Sequence, residues 1–112
     1  MNDLQKTEFD ILKNVVEICD RAGLSYFLVC GSALGAAKYD GFIPWDDDVD
    51  IGMYREDYER FCEIAQALLP AHYFLQTYRT DPHFPTIFAK VRDTRTTFIE
   101  KSMRALDIHH GV

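Results

Sequence analysis

The chain has 112 residues, of which 47% are hydrophobic and 13% aromatic, which is enough for one folded domain, 1–112, with a buried core. This composition excludes a disordered or coiled-coil protein. The formal net charge of −6 argues against a protein that binds duplex nucleic acid, because such a protein needs a basic surface.

The chain carries no recognisable signal for a membrane or an oxidising compartment. Its first ten residues are polar and acidic, unlike a signal peptide, and its longest apolar run is far shorter than a transmembrane segment. The three cysteines, Cys19, Cys30 and Cys62, are widely spaced within apolar patterns, which is typical of free thiols. We therefore predict a cytoplasmic protein.

Apolar residues at helical spacing alternate along the chain with short β-branched or aromatic runs. Asp3 is expected to be the N-cap of the first helix, and Gly23 the residue that follows its end. This order of elements predicts an α/β or α+β domain in which helices flank a mixed sheet. In chain order, the predicted elements are a helix at 3–22, a buried strand at 24–30, a short helix at 33–39, a strand at 49–53, a helix at 55–69, and strands at 73–78, 86–92 and 96–99, the last two joined by a turn at 93–95.

Gly31 and Ser32 follow the first predicted strand directly. A glycine there lets the backbone turn sharply and lets a ligand approach closely. The amides of the following helix, together with the Ser32 hydroxyl, can hold a phosphate. The same pair also occurs in many strand-to-helix turns for backbone reasons alone. It therefore indicates a phosphate site only in combination with other residues.

Four aspartates, Asp46, Asp47, Asp48 and Asp50, crowd the start of the second predicted strand. Carboxylates this close repel one another unless a divalent cation neutralises them. On a strand, Asp48 and Asp50 would point to the same face. We therefore predict that this pair binds Mg²⁺, with Mn²⁺ as an alternative, against the phosphates of a nucleotide. Asp46 and Asp47 are expected to support the site.

Two other interpretations of the acidic run stay open. One is a solvated acidic turn, although Pro44, Trp45 and Val49 flank the run instead of the usual Lys, Ser or Gly. The other is an EF-hand calcium loop, since aspartates fill its first three ligand positions. In that comparison the glycine comes one position late, at Gly52, and Asp57 stands where the loop has a bidentate glutamate.

The combination of these features is more specific than its parts. An apolar strand, Gly-Ser, a short helix and Asp-x-Asp on a second strand resemble the nucleotidyltransferase superfamily that includes DNA polymerase β. More closely, GSALGAAKYDGFIPWDDDVDIGM at 31–53 resembles the signature of the LicD family of phosphocholine transferases, which also resemble fukutin-related proteins. FAKVRDTRTTFIE at 88–100 and HHGV at 109–112 are similar to two further segments of that family.

The resemblance implies a nucleotidyltransferase-like fold and a Mg²⁺-dependent transfer of phosphocholine, or a related phospho-alcohol, from a CDP-linked donor. The acceptor would be a hydroxyl of a glycan or lipid-linked glycan precursor of the cell surface, as in the modification of lipopolysaccharide or teichoic acid. Gly31 and Ser32 would meet the donor phosphates, and Lys38 would contact a phosphate. Asp48 and Asp50 would be the catalytic metal ligands.

Strand alternation places Lys90 and Arg92 on one face of the predicted strand 86–92, where they could supply positive charge to the donor. A solvent-exposed strand face is the alternative for this pair.

The sequence also departs from the family pattern at one catalytic position. The superfamily uses a third carboxylate on a later strand, which in LicD-like sequences follows the segment that HHGV resembles. Asp93 and Asp107 are not at the matching place. We therefore expect the N-terminal part of a LicD-type protein, incomplete at the C-terminus and impaired in transfer. The alternative is a catalytically weak nucleotide- or metal-binding module that acts through a partner.

Overall fold

The computed structural model describes residues 2–44, 47–100 and 103–112, and it confirms the predicted α+β class. Helices and strands alternate at first, and two strands follow the last helix. In chain order the elements are α1 (Asp3–Ala22), β1 (Phe27–Leu28), α2 (Cys30–Tyr39), β2 (Ile51–Gly52), α3 (Arg55–Leu68), β3 (Tyr73–Gln76) and β4 (Lys90–Asp93).

Both ends of α1 are capped. The N-cap is Asn2, not Asp3 as expected, because Asn2 and Gln5 form a reciprocal capping box: the Gln5 amide donates to Asn2 Oδ1 at 2.8 Å, and the Asn2 amide donates to Gln5 Oε1 at 3.3 Å. At the other end, Gly23 adopts the left-handed conformation with φ 72°, which confirms its predicted role.

The described strands form two separate antiparallel pairs, and not the mixed sheet that we expected within the α+β class. In the first, Phe27 lies opposite Gly52 and Leu28 opposite Ile51. A side chain at Gly52 would displace the Phe27 ring, because a Cβ there would lie 2.5 Å from Cε2 of Phe27. In the second pair, β3 and β4 run in register over four residues, from Tyr73 opposite Asp93 to Gln76 opposite Lys90.

The hydrophobic core lies between α1, α3 and the β3–β4 pair. One edge of β3 is covered by α3, since the Gln66 side chain donates to the Tyr73 carbonyl at 3.1 Å and accepts from the Leu75 amide at 2.8 Å. These contacts hold the helix and the strand in register. The buried side chains of this core are Ile11, Val15, Ile18, Cys19, Leu24, Phe61, Ala65, Leu69, Tyr73 and Leu75.

The expected buried strand at 24–30 is wrong in both length and burial. Only Phe27 and Leu28 form a strand, and their exposed fractions are 44% and 37%. The core is formed mainly by α1, α3 and β3, and residues 24–30 contribute to it through Leu24 and Tyr26. The pair β1–β2 therefore lies at the margin of the core.

The last predicted strands also differ from the structure. β4 begins at Lys90, four residues later than expected, and the segment 96–99 is not a strand. That segment instead contacts the C-terminal residues: the Phe98 amide donates to the His110 carbonyl at 2.7 Å, and the Val112 amide donates to Thr96 Oγ1 at 2.8 Å. In the part of the chain that the structure describes, no helix is both long and apolar enough to cross a membrane.

Candidate functional site

The turn from β1 into α2 sets the geometry of the candidate site. Cys30, not a glycine, takes the left-handed backbone conformation with φ 53°, and the helix begins at that residue, three residues earlier than predicted. Gly31 and Ser32 consequently lie in the first turn of α2. The N-cap residue, Val29, provides no side-chain hydrogen bond, so the amides of this first turn are available to water or a ligand.

The structure brings Ser32 and Asp50 into direct contact, although 18 residues separate them in the sequence. The Asp50 amide donates a hydrogen bond to Ser32 Oγ at 2.8 Å, and the Val29 amide donates to the Asp50 carbonyl at 3.2 Å. Both backbone groups of Asp50 are thus tied to the junction between β1 and α2. The Gly-Ser motif and the second half of the Asp-x-Asp motif therefore form one constellation.

The loop that follows α2 is held in place by two features. Gly35 permits a close approach there, since a Cβ at this position would lie 2.3 Å from the Gly41 carbonyl oxygen. The Gln5 side chain donates to the Ile43 carbonyl at 3.3 Å and so ties the loop to the first turn of α1. These contacts fix the described part of the loop, at 41–44, which precedes the acidic run in the sequence.

The carboxylates lie just before β2 and not on it. β2 begins at Ile51, so the alternation argument no longer places Asp48 and Asp50 on one strand face. Asp47 and Asp48 are exposed, and Asp50 is half-buried. Asp46, which we expected to support the site, lies outside the described residues, as does Trp45.

The predicted cations have different surroundings. Lys38 is exposed in the last turn of α2, with its Nζ 5.9 Å from the centroid of the Tyr39 ring. Lys90 forms an ion pair with Glu100, with 2.8 Å between Nζ and Oε1. This ion pair holds the start of β4 against the segment that follows it.

Arg92 does not lie on a solvent-exposed strand face, which was the alternative to donor binding, and two of its donor atoms are used inside the protein. It is 4% exposed, and its Nε donates to Gln76 Oε1 at 2.6 Å while its Nη1 donates to the Gly111 carbonyl at 2.7 Å. Burial lowers the pKa of Arg92, and the nearby carboxylates of Glu100 and Asp81 oppose that shift. The contacts of Arg92 join β3, β4 and the C-terminal segment.

Asp93 and Asp107, which do not stand at the place expected for a third carboxylate, have different surroundings. Asp93 lies at the end of β4, not in the predicted turn, and its buried carboxylate accepts from Arg95 Nε at 3.0 Å and Arg95 Nη2 at 2.8 Å. Asp107 is exposed. Among residues 2–44, 47–100 and 103–112, no three His, Cys, Asp or Glu side chains form a group that could hold a metal ion.

Two carboxylates still match what Mg²⁺ requires. This ion prefers oxygen ligands and is commonly held by one or two carboxylates, with water and substrate phosphate completing its octahedral shell. Asp48 and Asp50 carry oxygen donors of that kind, and the Asp50 backbone is hydrogen-bonded to Ser32 in the first turn of α2. The donor chemistry of the pair is therefore compatible with Mg²⁺ bound together with a phosphate.

The backbone of Asp50 and the amide of Val29 are parts of this arrangement that the sequence did not reveal. Side-chain patterns carry no signal for them, because both act through main-chain groups. The only available hint was the apolar run before Gly31, which placed a strand near that junction.

Comparison with known proteins gives a match over most of the chain. The family model described as LicD/FKTN/FKRP, nucleotidyltransferase domain, matches residues 23–108. The lipopolysaccharide cholinephosphotransferase LicD of Haemophilus influenzae is 32% identical over 105 residues, which cover 93% of this chain and 40% of that protein. The ribitol 5-phosphate transferase FKRP of Homo sapiens is 54% identical over 43 residues, which cover 38% of this chain and 9% of that protein.

The length of the match differs between this chain and its relatives. The chain spans 40% of the length of the Haemophilus influenzae protein. A protein of Rickettsia typhi without an assigned function is 36% identical over 56 residues, which cover 50% of this chain and 18% of that protein. No solved structure gives a significant match.

Proposed function

Because the chain belongs to the LicD/FKTN/FKRP nucleotidyltransferase family, we propose that it takes part in the transfer of phosphocholine, or a related phospho-alcohol, from a CDP-linked donor to a hydroxyl of a glycan or lipid-linked glycan. The observation that carries this proposal is the hydrogen bond between Ser32 and Asp50. It places the residues suited to phosphate next to a residue suited to a metal ion.

The phosphate end of the proposed site is the first turn of α2. The amides of a helix N-terminus carry partial positive charge and lack partners within the helix. Gly31 and Ser32 lie in that turn, and no side chain caps it. A diphosphate could therefore accept hydrogen bonds from these amides and from the Ser32 hydroxyl. Lys38, exposed at the other end of α2, is a proposed contact of a donor phosphate.

The metal end of the proposed site is formed by Asp48 and Asp50. A bound Mg²⁺ would neutralise charge on the phosphates and favour attack by a hydroxyl. The carboxylates of this chain would hold the ion at the phosphate, and the half-buried position of Asp50 would fix it relative to α2. The net charge of −6 favours such a counter-ion, since a negatively charged chain repels a nucleotide diphosphate.

The proposed transfer conserves atoms and charge. The oxygen of the acceptor hydroxyl forms a bond to the phosphorus that bears choline, and the bond from that phosphorus to the bridging oxygen breaks. CMP leaves with this oxygen, and the proton of the hydroxyl passes to solvent or to a base.

Calorimetric titration of the chain with CDP-choline, with and without Mg²⁺, tests the proposal. We expect binding that depends on Mg²⁺, and a loss of about tenfold or more in affinity for Asp48→Asn and for Asp50→Asn, because each removes a metal ligand. Asp107→Asn is the matched control, since it removes one exposed carboxylate outside the site. The ligand-free fold should stay intact or become firmer in the two site variants, because repulsion between like charges falls.

The outcomes separate the possible functions. Equal binding by all variants would contradict the assignment of Asp48 and Asp50. Binding that depends on Mg²⁺ without release of CMP in the presence of a glycan acceptor would favour the nucleotide- or metal-binding module. No binding of CDP-choline, CDP-ribitol or CDP-glycerol by the wild-type chain would contradict the proposed donor class.

A further inference from the structure

The junction between β1 and α2 leaves the Asp50 amide without its regular partner. In an antiparallel ladder, two residues that face each other as a hydrogen-bonded pair exchange both of their N–H···O bonds. Next to the pair formed by Leu28 and Ile51, Val29 and Asp50 make only one of the two: the Val29 amide donates to the Asp50 carbonyl at 3.2 Å. The second bond would need the Val29 carbonyl.

The Val29 carbonyl is already part of the helix. It accepts a hydrogen bond from the Ala33 amide at 3.3 Å, which is the first i→i−4 bond of α2. Because the strand runs into the helix within one residue, through the left-handed Cys30, the same carbonyl faces the helix and not β2. The amide of half-buried Asp50 consequently needs another acceptor.

Ser32 provides that acceptor from the first turn of the helix. Its Oγ lies 2.8 Å from the Asp50 nitrogen. We propose that Ser32 is a positioning residue: its hydroxyl replaces the Val29 carbonyl in the ladder, and it thereby fixes the backbone of Asp50 against the N-terminus of α2. The inference rests on the proposed function only where it gives the Asp50 carboxylate a role in holding a metal ion.

The hydroxyl has capacity for a second contact. A serine hydroxyl has one donor and two acceptor lone pairs, and the Asp50 amide uses one lone pair. The O–H can therefore donate to a phosphate while the oxygen accepts from Asp50. Each of these hydrogen bonds polarises the hydroxyl in the direction that strengthens the other. Ser32 would thus link the phosphate end of the site to the position of Asp50.

Amide hydrogen exchange in the ligand-free chain tests the positioning role directly. We expect exchange at the Asp50 amide to accelerate tenfold or more in Ser32→Ala, since its acceptor is gone, and to return toward the wild-type rate in Ser32→Thr, which keeps the hydroxyl. Ser25→Ala is the matched control, because Ser25 is exposed and its described hydrogen bond to Asp57 uses the backbone amide. It should leave the exchange of Asp50 unchanged.

A graded variant covers the case in which Ser32→Ala does not fold, as judged by circular dichroism. Ser32→Cys keeps nearly the same volume but has a weaker acceptor, so exchange at the Asp50 amide should be faster than in the wild type. Where Ser32→Ala does fold, the rate in Ser32→Cys should lie between those of the wild type and Ser32→Ala. Unchanged exchange at Asp50 in a folded Ser32→Ala or Ser32→Cys would overturn the inference, because a residue that only contacts phosphate would not affect this amide without ligand.

Titration with Mg²⁺ in the presence of CDP-choline separates this inference from the proposed function. If Ser32 positions Asp50, Ser32→Ala should weaken the apparent affinity for Mg²⁺ about fivefold or more, and Ser32→Thr should restore most of it. A wild-type chain that binds neither ligand, but shows accelerated exchange in Ser32→Ala, would contradict the proposed function and leave the positioning of Asp50 established.

Discussion

Two regions of this protein are built from the same kind of antiparallel strand pair, but they are held together in different ways. The site region comprises β1, α2 and β2, and its strands are two residues long with Phe27 and Leu28 exposed. The core region comprises β3, β4 and the C-terminal segment 109–112, and its strands pair over four residues with Leu75, Gln76 and Arg92 buried.

The polar contacts of the two regions differ as well. In the core region the hydrogen bonds from Arg92 to Gln76 and Gly111 are buried, and those from the Gln76 side chain to Asp81 Oδ2 at 2.9 Å and to the His109 carbonyl at 3.1 Å are partly buried. In the site region the bond between Ser32 and Asp50 is only partly buried. Local opening requires least free energy where few apolar contacts are lost. The core region should therefore supply most of the stability, while the site region should open locally at a lower free energy.

The largest expected effect comes from the same substitution made in each region. Leu75→Ala should lower the free energy of unfolding by about 3 kcal/mol, because Leu75 is 2% exposed and its removal leaves a cavity. Leu28→Ala should lower it by less than about 1 kcal/mol, since Leu28 is already 37% exposed. Urea unfolding followed by circular dichroism measures both. Equal losses would show that β1 is as important to the core as β3.

A smaller effect is expected from the buried cation. Arg92→Met should lower the free energy of unfolding by about 2 kcal/mol, because the Gln76 side-chain oxygen and the Gly111 carbonyl lose their donor inside the protein. Lys90→Met, two residues earlier on the same strand, should cost less than about 1 kcal/mol, since its ion pair with Glu100 is partly exposed. Urea unfolding measures both changes.

The donor titration decides what Arg92 does beyond stability. A folded Arg92→Met chain should keep the affinity of the wild type for CDP-choline. If that affinity fell strongly while the fold was retained, Arg92 would belong to the donor site after all.

The sequence predicted the elements whose apolar pattern is long and regular. The helices α1 and α3 were expected within a residue or two of their observed ends, and Gly23 was correctly placed after α1, because the helical period and the left-handed cap are local signals. The burial of β1 could not be predicted, since an apolar run does not show which elements will cover it. The burial of Arg92 depends on partners 16 and 19 residues away.

For the candidate site, the sequence indicated which motifs belong together but not how they meet. The contact between Ser32 and Asp50 uses a main-chain amide, which side-chain spacing does not reveal. The early start of α2 depends on a cysteine in the left-handed region, where glycine is the usual residue. The roles of Gly31, Ser32, Asp48 and Asp50 in binding stay predictions that the titrations address.

The smallest expected effect is a dependence of stability on pH that belongs to the core region. Hydrogen bonds from the Arg95 side chain hold the pKa of Asp93 below its usual value, although burial of the carboxylate acts in the opposite direction. A carboxyl group whose pKa is lower in the folded than in the unfolded state stabilises the fold above its unfolded pKa, which is near 3.8 for aspartate. This stabilisation is lost as the pH falls through the folded pKa.

Asp93→Asn should therefore be less stable than the wild type by about 1 kcal/mol near neutral pH, a modest value because Arg95 is largely exposed. The difference should shrink as the pH falls from about 5 to about 2, since the wild type then loses its ionised carboxylate. When Arg95→Met is present in both chains, the stability difference caused by Asp93→Asn should also become smaller, because the hydrogen bonds join Asp93 to Arg95. Urea unfolding across this pH range measures it. A difference that stays constant in acid would show that the charge of Asp93 does not stabilise the core region.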